Sequence, residues 1–553
     1  MQVSNRLART ALILSLALVA TACSGSGDAG TDAATADTTD EEAATPAADT
    51  DSLVVAIGSD EGTLTPYTYV TGYPGWNLMN LVYDTLLILD EDSSPQPHLA
   101  ESVDISDDGL TWTLTLADAT WHDGEPVTAD DVAFTFDYVQ QFTSSRFTGP
   151  ASAATSVETD GDTVTLTLDE ANPEFAIRPL ADMPILPAHI WADVDDPDSA
   201  SIELAVGTGP YMLTEHRPDQ SYELSANPNY ALGTPSVQSV TLSIIPEQQT
   251  AIAALQSGEV QAVTDGVPPQ LVDELADRDG IEVVSGPEFG STLLLMNNGR
   301  APLDEFEVRR AVALAIDIDD LVDTMLLGRG TAGDPGFVHP ASPYAQSPRS
   351  HTHAPDEAVA LLENLGAAQG PDGVRELDGT PLSFELLVYA DNPDRLRAAE
   401  LIRDDLAEVG IEVVLEVLDA DSVDELVWPG FDVAEGRDYD MAMWGWSAPV
   451  MLSPGRLVGL VHSDPSIGTI NVTGTVNDAL DDLGDAVLAE PLEDDAAAAA
   501  AELADAIADQ APFVTLFYAD GVYAYNADAY DAWVFQSGQG ILSKLSLADH
   551  PHL

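Results

Sequence analysis

One cysteine, Cys23, and one lysine, Lys544, are all that 553 residues contain of either type. Without a second thiol the chain can form no disulfide and no cysteine-based zinc site. Stability must then come from packed cores, for which the length is ample. Cations of any kind are scarce, with 18 Lys+Arg against 95 Asp+Glu and a formal net charge of -77. Nucleic acid and anionic headgroups are bound through cationic contacts, so this balance excludes a nucleic-acid partner. The acids are spread along the chain, which reads as general solvation and as adaptation to a saline exterior. Catalytic signatures are missing too. Lys544 is followed by Leu545, so there is no phosphate-binding Gly-Lys-Ser/Thr, and neither Gly-x-Ser-x-Gly nor His-Glu-x-x-His occurs. No catalytic residue, metal site or cofactor is expected, and the chain reads as a non-enzyme. His351 with His353, and His550 with His552, lack a third ligand in sequence and are expected to be solvated loop histidines.

Long apolar runs are also absent. The longest near the N-terminus, Ala11 to Ala20, is too short for a bilayer, which takes about 20 residues. Behind Arg6 and Arg9 it has the flanks of a secretory signal over residues 1–22. Thr21-Ala-Cys23 closes it, and a small residue before a cysteine there resembles the bacterial lipobox. Cys23 is therefore expected to be lipidated, giving an extracytoplasmic protein attached to the outer face of the cell membrane by that anchor alone. Residues 23–50 are Gly-, Ala-, Thr- and acid-rich without large apolar side chains. They cannot offset their ordering entropy and read as a disordered acidic tether.

Strand and helix signals then mix. Leu53 to Ile57 is strand-like. Trp112, Leu114 and Leu116 alternate with threonines between the turn signals Asp107-Asp-Gly109 and Asp123-Gly124. Thr128 with Asp131 predicts a helix start, and Val132, Phe136 and Val139 share one helical face. Leu401, Ile402, Leu406 and Val409 predict a second helix, capped at Gly410. Ile411, Val413, Leu415 and Val417 alternate as a strand. The pattern predicts an α/β protein of more than one lobe.

Several segments, in one order, resemble family 5 of the bacterial extracellular solute-binding proteins, the peptide, nickel and oligosaccharide group. They are Asp107 to Leu116, then Trp121-His-Asp-Gly-Glu-Pro-Val-Thr-Ala-Asp-Asp-Val132. Gly207-Thr-Gly-Pro-Tyr211, Asn227-Pro-Asn-Tyr230, Ile245-Pro246 and Ala253 to Val260 follow. Asn297, Pro302-Leu-Asp304, Val308-Arg-Arg-Ala-Val312, Ala315-Ile-Asp317, Tyr439-Asp440 and Trp444-Gly-Trp446 complete the series. The likeness covers about residues 51–540.

The resemblance implies a type II periplasmic-binding-protein (venus-flytrap) fold with an extra domain and mixed sheets flanked by helices. Domain I would comprise 51–88, 203–291 and 512–553, domain II the insertion 89–202, and domain III 292–511. It implies a monomeric solute-binding subunit that delivers an oligopeptide or similar medium-sized solute to ABC permease and ATPase subunits. An oligosaccharide or nickel-chelate binder is the alternative within the family. A ligand-presenting sensory protein or an extracellular hydrolase is the alternative outside it. Ligand contacts are expected at Thr63, Thr65, Tyr67 and Tyr69 after the first strand and at Trp444, Trp446 and Ser447, with Tyr518 and Tyr523 as weaker candidates. His122 and Gly207 to Pro210 are expected to be scaffold, and Arg309 and Arg310 to pair with acids. The family's peptide binders carry an ammonium-binding aspartate three residues after the matching tryptophan. Pro449 stands there in this chain, and Asp438 or Asp440 could replace it.

Overall fold

A computed structural model of the chain describes residues 51–68, 75–342, 345, 348–390, 392–446, 454–490 and 493–550. The signal, Cys23, the tether, Tyr69, Ser447, Pro449 and His552 lie outside the described residues. No helix among the described residues is long and apolar enough to cross a membrane.

The main sheet runs in the order Glu412–Leu418, Ser383–Tyr389, Met441–Trp446, Ile281–Met296, Phe513–Asn526, Ala262–Val263, Ser52–Ile57, Ser239–Ile244, Ser221–Ala226, Tyr211–Arg217, with Gly330–Ala332 added on Phe513–Asn526. Its central pair is unusually long. Ile281–Met296 and Phe513–Asn526 are antiparallel, and their outer halves belong to different neighbourhoods. Residues 281–287 lie opposite 520–526, where Ala262 and Val263 also pair. Residues 291–295 lie opposite 513–518, and 291–296 beside Met441–Trp446.

At the second end, helices cover both faces, so the strands are continuous apolar runs and not alternating ones. Leu294, Met296, Leu386, Met441 and Met443 enter one core with Ile402 and Leu406. Their strand neighbours Leu293, Leu295, Leu387, Ala442, Trp444 and Trp446 enter another with Leu457 and Leu503. At the first end, Leu53, Val55 and Ile57 share a core with Leu81, Trp121 and Leu242.

The segment between the first strand and Tyr211 builds a separate four-stranded sheet in the order Ala100–Ile105, Thr111–Leu116, Thr163–Leu168, Ala154–Asp160. Trp112 lies opposite Leu166 and Leu114 opposite Val164, so the alternating residues meet apolar partners. Helix Ala129–Gln141 starts as its sequence predicts, with the Asp131 carboxylate accepting from the Thr128 N–H at 2.8 Å.

Two of the family segments turn out to be one clip. The Gly207 N–H donates to His122 Nδ1 at 3.2 Å, which leaves the proton on Nε2, and this donates to the Gly209 carbonyl at 3.0 Å. Burial lowers the His122 pKa and so favours that neutral form. A Cβ on Gly207 would sit 2.0 Å from the Val82 carbonyl oxygen, and one on Gly209 2.6 Å from that of Leu81. Only glycine admits this crossing, where the chain returns from the inserted sheet.

Other expectations need correction. His351 is largely buried and its pKa is pushed down to about 4 by burial. His550 is 8% exposed and packs against His98 and Tyr230, so neither is a solvated loop residue. Arg309 pairs with carbonyls and not with acids, donating to Leu303, Asp304, Gln510 and Ala511. Val417 is 45% exposed, because its strand is the sheet's outermost.

Candidate functional site: a pocket at the strand crossover

The long pair changes register between Pro287 and Ser291, where Phe289 takes φ +60° and seats its buried ring against His339. This irregularity stands between the two neighbourhoods of the sheet. Beside it lies a pocket of about 440 Å³. One wall is Thr264 to Gln270, following the short strand Ala262–Val263, with Gln248. Met325, Leu326, Arg329 and Asp394 form the other, and Glu288 and Ala519 to Tyr523 form the floor. The pocket thus collects residues from both ends of the sheet, near the carboxyl ends of strands, where open α/β sheets place their ligands.

Four carboxylates line it, Asp265, Glu288, Asp394 and Asp520, against one arginine. Arg329 is already paired with Asp273 at 2.9 Å. Glu288 lies across Gly521, where a Cβ would come within 2.5 Å of its Cγ, and it accepts a hydrogen bond from the Tyr523 hydroxyl. Burial, and then the charges of Asp265 and Asp520, push its carboxyl up to about 7. Burial raises Asp265 and Asp520 too, with Arg329 opposing the rise at Asp520. Asp265 abuts the end of the first strand, since a Cβ on Gly58 would meet its Oδ2 at 2.4 Å. The arrangement holds uncompensated negative charge in a partly desolvated place and can accept a positively charged group.

The expected contacts are placed as follows. Thr63 Oγ1 is 2.6 Å and Thr65 Oγ1 2.7 Å from Thr68 Oγ1, and Thr65 is fully buried. Trp444 and Trp446 share a face, as alternation requires, at 6% and 9% exposed. Their rings pack at 6.0 Å, with Trp428 5.7 Å from Trp446. Tyr518 is buried and donates to the Phe337 carbonyl at 2.6 Å. Tyr523 alone of the weaker candidates lines the crossover pocket. Asp438 and Asp440 both pair with Arg300, and they precede the strand whose far end carries Trp446. Six strand residues span about 20 Å, so these two carboxylates lie at the opposite end of that strand from Trp446. The pocket acids were missed because Asp265-Gly266 and Asp520-Gly521 read as turns, and Glu288 follows a proline within a strand.

The profile of the bacterial extracellular solute-binding proteins, family 5, matches residues 94–467, well over half of the chain. The chain belongs to that family. Among its relatives, the oligopeptide-binding protein AppA of Bacillus subtilis is 27% identical over 453 residues, 79% of each chain. The nickel-binding periplasmic protein of Escherichia coli is 28% identical over 381 residues, 67% of this chain and 71% of that one. The solved structure of the Bacillus subtilis AppA in complex with a nonapeptide superposes with a TM-score of 0.71 at 23% identity, covering 90% of this chain and 98% of that one. The fold is accordingly the mixed α/β venus-flytrap of family 5 periplasmic binding proteins with its extra domain, and the role that of a substrate-binding protein of ABC transport.

Proposed function

We propose that this protein captures an oligopeptide or similar medium-sized solute bearing a positively charged group, and hands it to the permease and ATPase subunits of an ABC importer. It works outside the cytoplasm, held to the membrane by lipidated Cys23 and its acidic tether. Domain I is assigned to 51–88, 203–291 and 512–553, domain II to 89–202 and domain III to 292–511. The cleft lies between domains I and III, and the irregular crossover of the two long strands is where they hinge. A solute binding both walls selects the closed form. Trp446 and Ser447 belong to the cleft wall in this proposal, with Thr63 and Tyr69 at its rim and the buried Thr65 behind it, Trp444 backing Trp446, and Tyr518 backing the crossover floor.

The observation that carries the ligand class is the cluster of Glu288 with Asp265, Asp394 and Asp520 in the pocket that joins both walls, where burial first and then the charges of Asp265 and Asp520 raise the Glu288 carboxyl. Glu288 would there take a ligand ammonium in place of the aspartate whose position Pro449 occupies. Native mass spectrometry of the protein as purified tests this: a bound species of several hundred daltons is expected, the scale of such pockets. Apo-protein alone, with no melting shift across peptides with free and acetylated amino ends, would refute it.

A further inference from the structure

Far from the crossover in the chain, the inserted segment meets the opposite wall at one close contact. Glu174 follows the inserted sheet, and Gly455 and Arg456 begin helix Pro454–Val461. A Cβ on Gly455 would lie 2.8 Å from Glu174 Oε1 and 3.1 Å from both its Cδ and Cγ. A side chain at this position would push the carboxylate aside. That Oε1 is buried and has no hydrogen-bond partner. Its base is rigid. The Glu174 N–H donates to Asn172 Oδ1 at 3.0 Å, and the next residue, Phe175, is fully buried against Trp112. The first-turn amides of a helix have no partner within it, and Pro454 brings none, so the dipole and the free N–H groups favour an anion there. The Arg456 guanidinium beside them is largely buried, which lowers its pKa, while Glu174 raises it and Arg178 lowers it. Next to the contact the same two segments leave a groove of about 1,030 Å³, with Asp169 and Glu170 on one side and Asp485 on the other. Like charges therefore face each other beyond the point where Glu174 and Arg456 attract.

We propose that Glu174 of the inserted domain is a latch: its carboxylate seats on the first turn of helix Pro454–Val461, against Gly455 and Arg456, and holds the two lobes closed on the side away from the hinge. The inserted domain then takes part in closure and is not only a scaffold. This rests on the two-lobe reading above. The test is a spin-label distance between Asp160→Cys and Asp482→Cys in the ligand-free full chain in detergent, where lipidated Cys23 does not react. Glu174→Ala, and independently Arg456→Met, should lengthen the mean distance by about 5 Å, a hinge-scale displacement. Glu170→Ala, which lines the groove without making the contact, should leave it within error of the unmutated chain. Circular dichroism melts identify any variant that fails to fold, and either latch variant decides alone. Distance distributions that coincide for Glu174→Ala, Arg456→Met and the unmutated chain overturn the latch. If the protein nonetheless retains a solute in its mass spectrum, the capture reading survives that result. If it retains none, the capture reading fails and the distances still judge the latch.

Discussion

Two carboxylates show how burial sets what a charge does. Glu288 titrates near 7 in the folded chain against an ordinary 4.5. Between those values the folded chain holds a proton that the unfolded chain has released, so stability from this group falls as pH rises through the window. Above pH 7 the cost is at most about 3 kcal/mol. Glu288→Gln should therefore melt higher than the unmutated protein at pH 8 and alike at pH 4.5, while binding a cationic solute at least about tenfold more weakly, the usual exchange of stability for a binding charge. Calorimetry at the two pH values checks the first part and titration with the retained solute the second. Asp84 is the opposite case. It is 1% exposed and lies 2.5 Å from the ammonium of Lys544, itself 4% exposed, with His98 Nε2 at 2.9 Å. Burial would raise its pKa, but Lys544 and His98 hold it well below the usual carboxylate range. Lys544→Met should cost about 3–5 kcal/mol by stranding a buried charge, and adding Asp84→Asn should recover most of that. Urea melts of the two variants distinguish this from simple loss of packing, which the second substitution would not restore.

At the scale of elements, the molecule depends on where segments cross. The return from the inserted sheet is fixed by His122 against Gly207 and Gly209, and by backbone of Val82 that cannot yield. Gly207→Ala should lower the apparent melting temperature by several degrees, because a methyl 2.0 Å from a carbonyl oxygen overpacks a site walled by main chain. A melt unchanged within a degree would show that the crossing can relax. These elements were legible in sequence to different depths. The strand of Trp112, Leu114 and Leu116, the cap at Thr128 and the helix ending at Gly410 follow from local periodicity and turn chemistry, which act within a few residues. The role of His122 as a clip does not, since its partners lie 85 and 87 positions away. The crossover pocket was the least legible part. Its acids come from four separated segments, and two of them precede glycine as turn residues do, so only the fold, above all the pairing of Ile281–Met296 with Phe513–Asn526, reveals that they converge. The tryptophans were found by residue type, but their shared face points into the core of Leu457 and Leu503, a fact set by helices distant in sequence.

For the whole molecule the dominant quantity is the net charge of -77. Self-repulsion of that size destabilises any compact state and is screened by salt, whose Debye length falls from about 10 Å at 0.1 M to about 3 Å at 1 M. The buried pair of Asp84 and Lys544 is beyond the reach of such screening, whereas the surface acids are within it. The repulsion also acts across the groove that Asp169, Glu170 and Asp485 line. Salt should therefore do two things together: raise the melting temperature, and shorten the inter-lobe distance of the ligand-free chain. The attraction of Glu174 for Arg456 works the other way, since screening weakens it, but both residues are half-buried and it loses less than the open carboxylates gain. The expected outcome is a melting temperature several degrees higher in 1 M than in 0.05 M sodium chloride, with potassium chloride equivalent if screening alone is responsible. A melting temperature constant from low to multi-molar salt would contradict both the repulsion argument and the reading of the acidic surface as an adaptation to a saline exterior.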